Sequence, residues 1–527
     1  MLTVRSLRAT ISVLGIQPVS PTQTGGTLVT ATSFDPRTGT QISTAPATSE
    51  SEVRDLLKRA SASAERVAQA TPAQRRDWLY SIADAMEFQA DELVAIADRE
   101  TGLGRARLDG EVLRTAAQIR FYGDVAAEGS YLSVTRDEGA AGTDRLVRVN
   151  RPLGPVAVFG ASNFPFVFGV LGHDTSAALA AGCPVLVKAH TAHIALSHRL
   201  AELAQTALSE AGAPEGSFGM VVGRAAGVQL VKAPEVTAVA FTGSQSGGLA
   251  LWRISNERDR VIPVYAEMGT VNPVVVTEAG ATDMQQLAKD FVGSFTLGSG
   301  QYCTKPGLML APFGSDAAAR VASALETLDP RPLMLTEGIA GSVKQGLVEL
   351  RHAGARTVVE LGDVNVGWSA PAAVLQADIS SLSPGSRLLE ECFGPVVLVC
   401  EYSSQDELLA ALTNLQPSLA ASLIAATEGA DPQAPALLQR LSEQVGRVVV
   451  NGWPTGASCS WGQQHGGPWP STSNPGVTSI GAAALNRFVR PVAFQDVPDE
   501  WLPPEAQQTN PYNVPRRVNG ILTPAPN

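Results

Sequence analysis

Between residues 49 and 126 apolar side chains return every three to four positions. In "SEVRDLLKRASASAERVAQA" that spacing, with Ser49 and Ser51 as candidate caps, predicts an amphipathic helix. "DGEVLRTAAQIRFYGDVAAEG" predicts another. Upstream, residues 1–50 are rich in Thr, Ser, Gly and Pro, and "SFDPRTGTQISTAPAT" predicts a short hairpin turning at Pro36–Gly39. The rhythm changes between about 155 and 267. Five short apolar runs (Val156–Gly160, Pro184–Lys188, Phe218–Val222, Val239–Thr242 and Pro263–Glu267) alternate with helical stretches such as "HIALSHRLAELAQTALSEAG". Strand–helix alternation predicts a parallel sheet in a doubly wound α/β layer. Ligands of such layers meet the carboxyl ends of the strands. Ser162–Asn163, Lys188, Gly223–Arg224, Gly243–Ser244 and Glu267 fall there. A second strand–helix region runs from about 268 to 470. "YLSVTRDEGAAGTDRLVRVN" alternates on both sides of "EGAAGTD" and predicts a further hairpin. Residues 471–527 are Pro-rich and irregular, as expected of a tail lying over the body or over a neighbouring subunit.

Composition narrows the function classes. The 527 residues carry a net charge of -11, which argues against nucleic acid as a partner. With 44% hydrophobic and 17% charged residues the chain has ample core. No apolar run is long enough to cross a bilayer. Arg5 and Arg8, with no acid in the first 30 residues, faintly resemble a transit peptide. The stretch lacks a long apolar core, so an ordinary cytoplasmic N-terminus is expected. The five cysteines (Cys183, Cys303, Cys392, Cys400, Cys459) form no CxxC pair and no evident metal-ligand cluster with the six histidines. No disulfide framework and no metal are expected, and a reducing cytoplasm is the natural setting.

Five motifs carry candidate chemistry. "GSGQYCTKPG" sets Cys303 after a Gly-rich turn whose N–H groups can stabilise a thiolate. Taken alone, a buried inert cysteine is the commoner case. "YAEMGTVNP" ends a strand on Glu267, a possible general base acting through water, or simply a solvated strand end. "GASNFPFVFG" offers the Asn163 amide for an oxyanion, although turn asparagines before proline are frequent. "FTGSQSGG" places Gly243 and Ser244 before a helix whose N-terminus can face a pyrophosphate. "LEECFGPV" puts Glu391 and Phe393 in a turn and says nothing by itself.

In order and spacing the five together resemble the aldehyde dehydrogenase superfamily over roughly residues 30–495. "FGASNFP", "VKAHTAH", "HGGPWPST" and "RFVRPVAFQDVPDEWLP" are similar to its branch of 2-oxoglutarate semialdehyde (2,5-dioxopentanoate) dehydrogenases, with features shared by an NADP-dependent fatty aldehyde dehydrogenase. Ser162 stands where the superfamily often has Trp, and Thr270 where it often has a second Gly. Both departures fit the narrower branch.

The resemblance implies an α/β fold: a Rossmann-type cofactor domain (1–126 and 154–266), an α/β catalytic domain (267–470), and a small β oligomerisation element (127–153 and 471–527). It implies Cys303 as nucleophile, Asn163 with the Cys303 N–H as oxyanion donors, and Glu267 as base for hydrolysis of the thioester. It places Lys188, Gly243, Ser244, Glu391 and Phe393 around NAD or NADP. Thr191 occupies the place where NAD-preferring members often carry Glu, and Arg224 can pair with a 2′-phosphate, so NADP is expected to be preferred. Arg114 and Gln118 share one helix face at the expected substrate mouth, with Phe164, Val167, Pro454 and Gly456 as its apolar wall. The expected reaction is oxidation of an aldehyde, foremost 2-oxoglutarate semialdehyde, with aliphatic aldehydes as the alternative. The expected assembly is a homodimer or homotetramer.

Overall fold

A computed structural model of the chain describes residues 30–139, 144–362 and 364–524. The N-terminal segment read above as cytoplasmic and the centre of "EGAAGTD" lie outside the described residues. The first hairpin forms as its turn residues predict, from antiparallel β1 (Thr30–Asp35) and β2 (Thr40–Pro46). Ser49 caps helix α1 (Glu50–Gln69) in a reciprocal box: its hydroxyl accepts the Glu52 N–H, and the Glu52 carboxylate accepts the Ser49 N–H at 2.7 Å. Helices α2 (Pro72–Phe88), α3 (Ala90–Thr101) and α4 (Arg105–Glu128) follow, and α4 stops where Gly129 turns left-handed at φ 80°.

Next come β3 (Val134–Asp137) and β4 (Leu146–Pro152), an antiparallel pair. All five predicted apolar runs are strands: β5 (Val156–Phe159), β6 (Val185–Lys188), β7 (Phe218–Val221), β8 (Ala238–Gly243) and β9 (Val264–Met268). They pair in parallel in the order β7-β6-β5-β8-β9. The winding direction reverses beside β5, and that reversal opens a crevice at the carboxyl ends. Helices α5 (His173–Ala180), α6 (Ile194–Glu210), α7 (Arg224–Lys232) and α8 (Gln245–Asn256) supply the crossovers.

A seven-stranded sheet follows, made of β10 (Pro273–Val276), β11 (Leu308–Pro312), β12 (Arg356–Leu361), β13 (Ala372–Gln376), β14 (Val396–Tyr402), β15 (Ser418–Ile424) and β16 (Val445–Val450). Its order is β12-β13-β14-β11-β10-β15-β16, parallel except at the β12 edge. The central strands are almost wholly apolar because both faces are covered. Helix α9 (Met284–Thr296) runs from this sheet towards Cys303.

The C-terminal region is more regular than its Pro-rich composition predicts. β17 (Val489–Gln495) pairs with β4, while β18 (Arg516–Val518) and β19 (Ile521–Thr523) extend the sheet beyond β3, in the order β17-β4-β3-β18-β19. Short strands built from Arg, Val and Thr between turns carry too little apolar periodicity to stand out in sequence.

Candidate active site

The backbone before Cys303 is tightly wound. Gly298, Ser299 and Gly300 are all left-handed, at φ 57°, 58° and 70°. A side chain on Gly300 would collide with the backbone of Gly394 and Pro395, so the glycine permits both the conformation and the close approach. The amide of Asn272 holds the Cys303 carbonyl at 2.8 Å. The buried Lys305 ammonium donates to the carbonyls of Cys392 and Val396, at 3.1 and 2.9 Å. The Cys303 loop is thereby tied to the loop bearing Glu391.

His465 stands between Cys303 and Glu267. Its Nε2 is 3.4 Å from the Cys303 sulfur and 2.9 Å from Glu267 Oε1. The second approach is an ion pair rather than an aligned hydrogen bond, because Oε1 accepts no well-directed donor. Ser479 donates its hydroxyl to Glu267 Oε2, and Thr472 bridges the Glu267 backbone. Residues 471–479, expected in a peripheral tail, therefore return behind the end of β9. Burial pushes the Glu267 carboxyl up, but His465 and Ser479 outweigh it and the net is downward. Burial lowers the proton affinity of His465, yet the neighbouring Glu267 and Cys303 raise it well above the ordinary imidazole range. The Cys303 thiol is pushed up by burial, and His465 draws it partly back.

Asn163 sits opposite, buried in the loop after β5. One amide hydrogen is spent on the Gln301 carbonyl at 2.9 Å, which leaves the other for an oxyanion. Two side chains of α4 brace this loop. The Arg107 guanidinium donates to the Asn163 carbonyl at 2.6 Å and lies 5.0 Å from the Phe164 ring centroid and 5.3 Å from that of Tyr302. Glu111, wholly buried, accepts the N–H groups of Phe166 and Val167 at 3.0 and 3.2 Å. One helix face thus positions the Asn163 loop and packs on Tyr302, the residue before Cys303.

A cavity of about 470 Å³ opens over the sulfur. Arg114, Gln118, Phe164, Val167 and Gly456 line it, as expected. Pro454 does not: it is buried outside the cavity, and its carbonyl accepts a hydrogen bond from Arg447. Phe121, Phe168, Tyr302 and Ile480 complete most of the apolar wall. Gln118 is held to the Val167 carbonyl at 3.4 Å. Arg114 is exposed, and its charge acts on the buried Glu111 one turn earlier, which pairs with Arg107 at 3.9 Å.

The expected cofactor residues gather on the carboxyl edge of the five-stranded sheet. Lys188 ends β6 in register with Val221 of β7, so Thr191 and Arg224 each lie three residues beyond that pair; both are exposed. Burial lowers the proton affinity of Lys188. Gly243 ends β8, and Ser244 caps α8 by accepting the Gly247 N–H at 3.2 Å. The Glu391 carboxylate lies against Gly269, with Oε1 buried and without a hydrogen bond, and burial raises it to about 7. Phe393 is half-buried in the same turn. An orphaned buried carboxylate facing a glycine is what a ribose hydroxyl would satisfy, so these residues fit a nicotinamide dinucleotide.

The Cys303 loop, the opposed Asn163 amide, the Glu267 carboxylate at a strand end and the carboxyl edge of a parallel sheet share one crevice, and the aldehyde dehydrogenase family matches residues 24–491. The chain belongs to the aldehyde dehydrogenase family. Alpha-ketoglutaric semialdehyde dehydrogenase 2 of Azospirillum brasilense is 41% identical over 85% of this chain and 87% of that protein. Alpha-ketoglutaric semialdehyde dehydrogenase of Acinetobacter baylyi is 38% identical over 86% and 88%. An NAD-dependent aldehyde dehydrogenase from Sinorhizobium meliloti has the same fold, with a TM-score of 0.77 at 23% identity over 90% of this chain and 93% of that one.

As an aldehyde dehydrogenase the chain is an oxidoreductase that uses a nicotinamide dinucleotide. Among the described residues no helix is long and apolar enough to cross a membrane. Within this dehydrogenase site His465 is the residue that sequence reasoning missed. It is 162 positions from Cys303, and spacing alone does not bring the two together. The expectation of no metal-ligand cluster is corrected for the same reason: Cys303, His465 and Glu267 have ligand atoms within 4.8 Å of one another. The available signal was a histidine followed by two glycines in "HGGPWPST", which marked the branch but pointed to no role.

Proposed function

We propose that this aldehyde dehydrogenase oxidises 2-oxoglutarate semialdehyde to 2-oxoglutarate and prefers NADP to NAD. The observation that carries the substrate is Arg114, an exposed cation in the wall of the cavity that ends at Cys303, whose charge neighbour Glu111 is already paired with Arg107. A planar guanidinium there can take the distal carboxylate of a dicarboxylic semialdehyde in a two-point contact. The two relatives named for that aldehyde support the reading. For the cofactor, Thr191 presents no carboxylate to repel a 2′-phosphate, and exposed Arg224 can pair with one.

A bound nicotinamide dinucleotide supplies the hydride acceptor, and Lys188, Thr191, Arg224, Ser244, Glu391 and Phe393 would hold it. The chain's own groups do the rest. Cys303 sulfur and His465 Nε2 share one proton; with that proton on the imidazole, paired with Glu267, the sulfur adds to the aldehyde carbon. The free Asn163 amide hydrogen and the Cys303 N–H receive the negative oxygen. Once the carbon has lost hydride it is a thioester on Cys303. Glu267 then takes a proton from water, the water oxygen adds to the thioester carbon, and sulfur departs as the acid forms.

A second reading, oxidation of aliphatic aldehydes, is favoured by the aromatic and aliphatic cavity wall. Arg114→Leu separates the two. The expected result is a KM for the semialdehyde raised by about tenfold or more, the loss of roughly 1.4 kcal/mol of binding, with hexanal unaffected. Equal effects on both substrates would remove the anchor. The seven-stranded sheet and the two five-stranded sheets also support the division into a cofactor part (1–126 and 154–266), a catalytic part (267–470) and a subunit-joining part (127–153 and 471–527) of a homodimer or homotetramer. Five free cysteines support a reducing, cytoplasmic setting.

A further inference from the structure

The nucleophile and its two neighbours form a ligand set as well as a proton path. Cys303 Sγ, His465 Nε2 and a Glu267 carboxylate oxygen all lie within 4.8 Å of one another. Sulfur and nitrogen are 3.4 Å apart, and nitrogen and oxygen 2.9 Å. Tetrahedral zinc, with bonds of about 2.3 Å to sulfur and about 2.0 Å to nitrogen, sets those two ligand atoms roughly 3.5 Å apart. The nitrogen–oxygen pair has to open to about 3.3 Å, and sulfur and oxygen, within 4.8 Å of each other, have to stand at about 3.5 Å. The fourth position opens towards the substrate cavity, which Cys303 and His465 both line.

We propose that Cys303, His465 and Glu267 bind zinc reversibly and that zinc switches the dehydrogenase off. Thiolate with imidazole selects a borderline-soft cation over magnesium or calcium, which take oxygen ligands. On binding, the ion replaces the one proton shared by sulfur and Nε2, and that proton goes to solvent; nothing is oxidised or reduced. The ligated sulfur can no longer add to an aldehyde, and the carboxylate can no longer take a proton from water.

The surroundings set the strength. Ser479 fixes the second carboxylate oxygen and so orients Glu267 for the ion. His465 Nδ1 has no hydrogen-bond partner among the described residues. A metal-bound imidazole normally donates from that second nitrogen, and its loss weakens binding by about 10–100-fold. The site therefore suits an exchangeable inhibitory ion rather than a permanent structural one.

The test uses the full chain without aldehyde or cofactor, so its outcome is independent of which aldehyde is the substrate. Alkylation by iodoacetamide is followed peptide by peptide in zinc sulfate, magnesium chloride or EDTA. Zinc is expected to slow alkylation of Cys303 by about tenfold or more, the effect of occupying the thiolate. Magnesium should do nothing, EDTA should restore the rate, and Cys459, in the same cavity wall, should react unchanged. Titration calorimetry should show zinc binding to the wild type weakened by at least about tenfold in both His465→Asn and Cys303→Ser. If His465→Asn fails to fold, Cys303→Ser decides alone. Absence of zinc binding, equal binding by Cys303→Ser, or unimpeded alkylation of Cys303 at calorimetric saturation would overturn the proposal.

Discussion

Replacing His465 separates two effects that its position combines. The imidazole draws the Cys303 thiol down against the upward push of burial. In His465→Ala that pull is gone, so the pH midpoint for alkylation of Cys303 moves higher. The turnover number falls by about 10²–10⁴, the usual worth of a positioned proton acceptor. A midpoint that stays put or moves lower would show that the imidazole does not govern the thiol. Arg224→Ala acts on a different residue and a different readout. It should raise the KM for NADP by roughly tenfold, the loss of one charge-assisted contact to a 2′-phosphate, and leave the KM for NAD unchanged. A parallel rise for both cofactors would place Arg224 outside the phosphate contact. Residues with their own local signature were legible before the fold. Cys303 follows a Gly-rich turn, Glu267 ends an apolar strand, and Asn163 opens a turn before proline. His465 carries no such signature, because its role comes from a contact made only on folding.

At the scale of elements, α4 sets the precision of the site. Arg107 packs between Phe164 and Tyr302 and holds the Asn163 carbonyl, while Glu111 holds the start of the next turn. Arg107→Met keeps most of the apolar stem but takes the nearer of two cations, Arg107 and Arg114, from the buried Glu111. Stability is expected to fall by about 3–5 kcal/mol, as when one partner of a buried pair is removed. The turnover number should fall by about 10²-fold through misplacement of the oxyanion amide. The KM for NADP should not change, since the dinucleotide edge lies on other strands. Thermal melts and steady-state kinetics of the one variant read all three. Unchanged turnover in a destabilised protein would make Arg107 purely structural. The helix itself was legible from its periodicity. Its inward charges were not, since Arg107 and Glu111 are spaced as an ordinary solvated ion pair.

Across the whole molecule, the sequence separates well where hydrophobic rhythm changes sharply. The parallel five-stranded layer and its carboxyl-edge residues followed from alternation alone. The C-terminal region did not, because its strands are short and its proline content masks them. Yet residues 471–479 return from beyond the seven-stranded sheet to support Glu267, and β17 to β19 complete the sheet begun by β3 and β4. The site is therefore assembled from segments more than 300 residues apart, with Arg114 and Ile480 at its extremes. The measurement that tests the account most directly is absorbance at 340 nm with 2-oxoglutarate semialdehyde and NADP or NAD, using the wild type and Cys303→Ala. The account predicts reduction of both cofactors, faster with NADP at low concentration, and no reduction by the variant. Reduction by Cys303→Ala at the wild-type rate, or none by the wild type with any aldehyde, would contradict it.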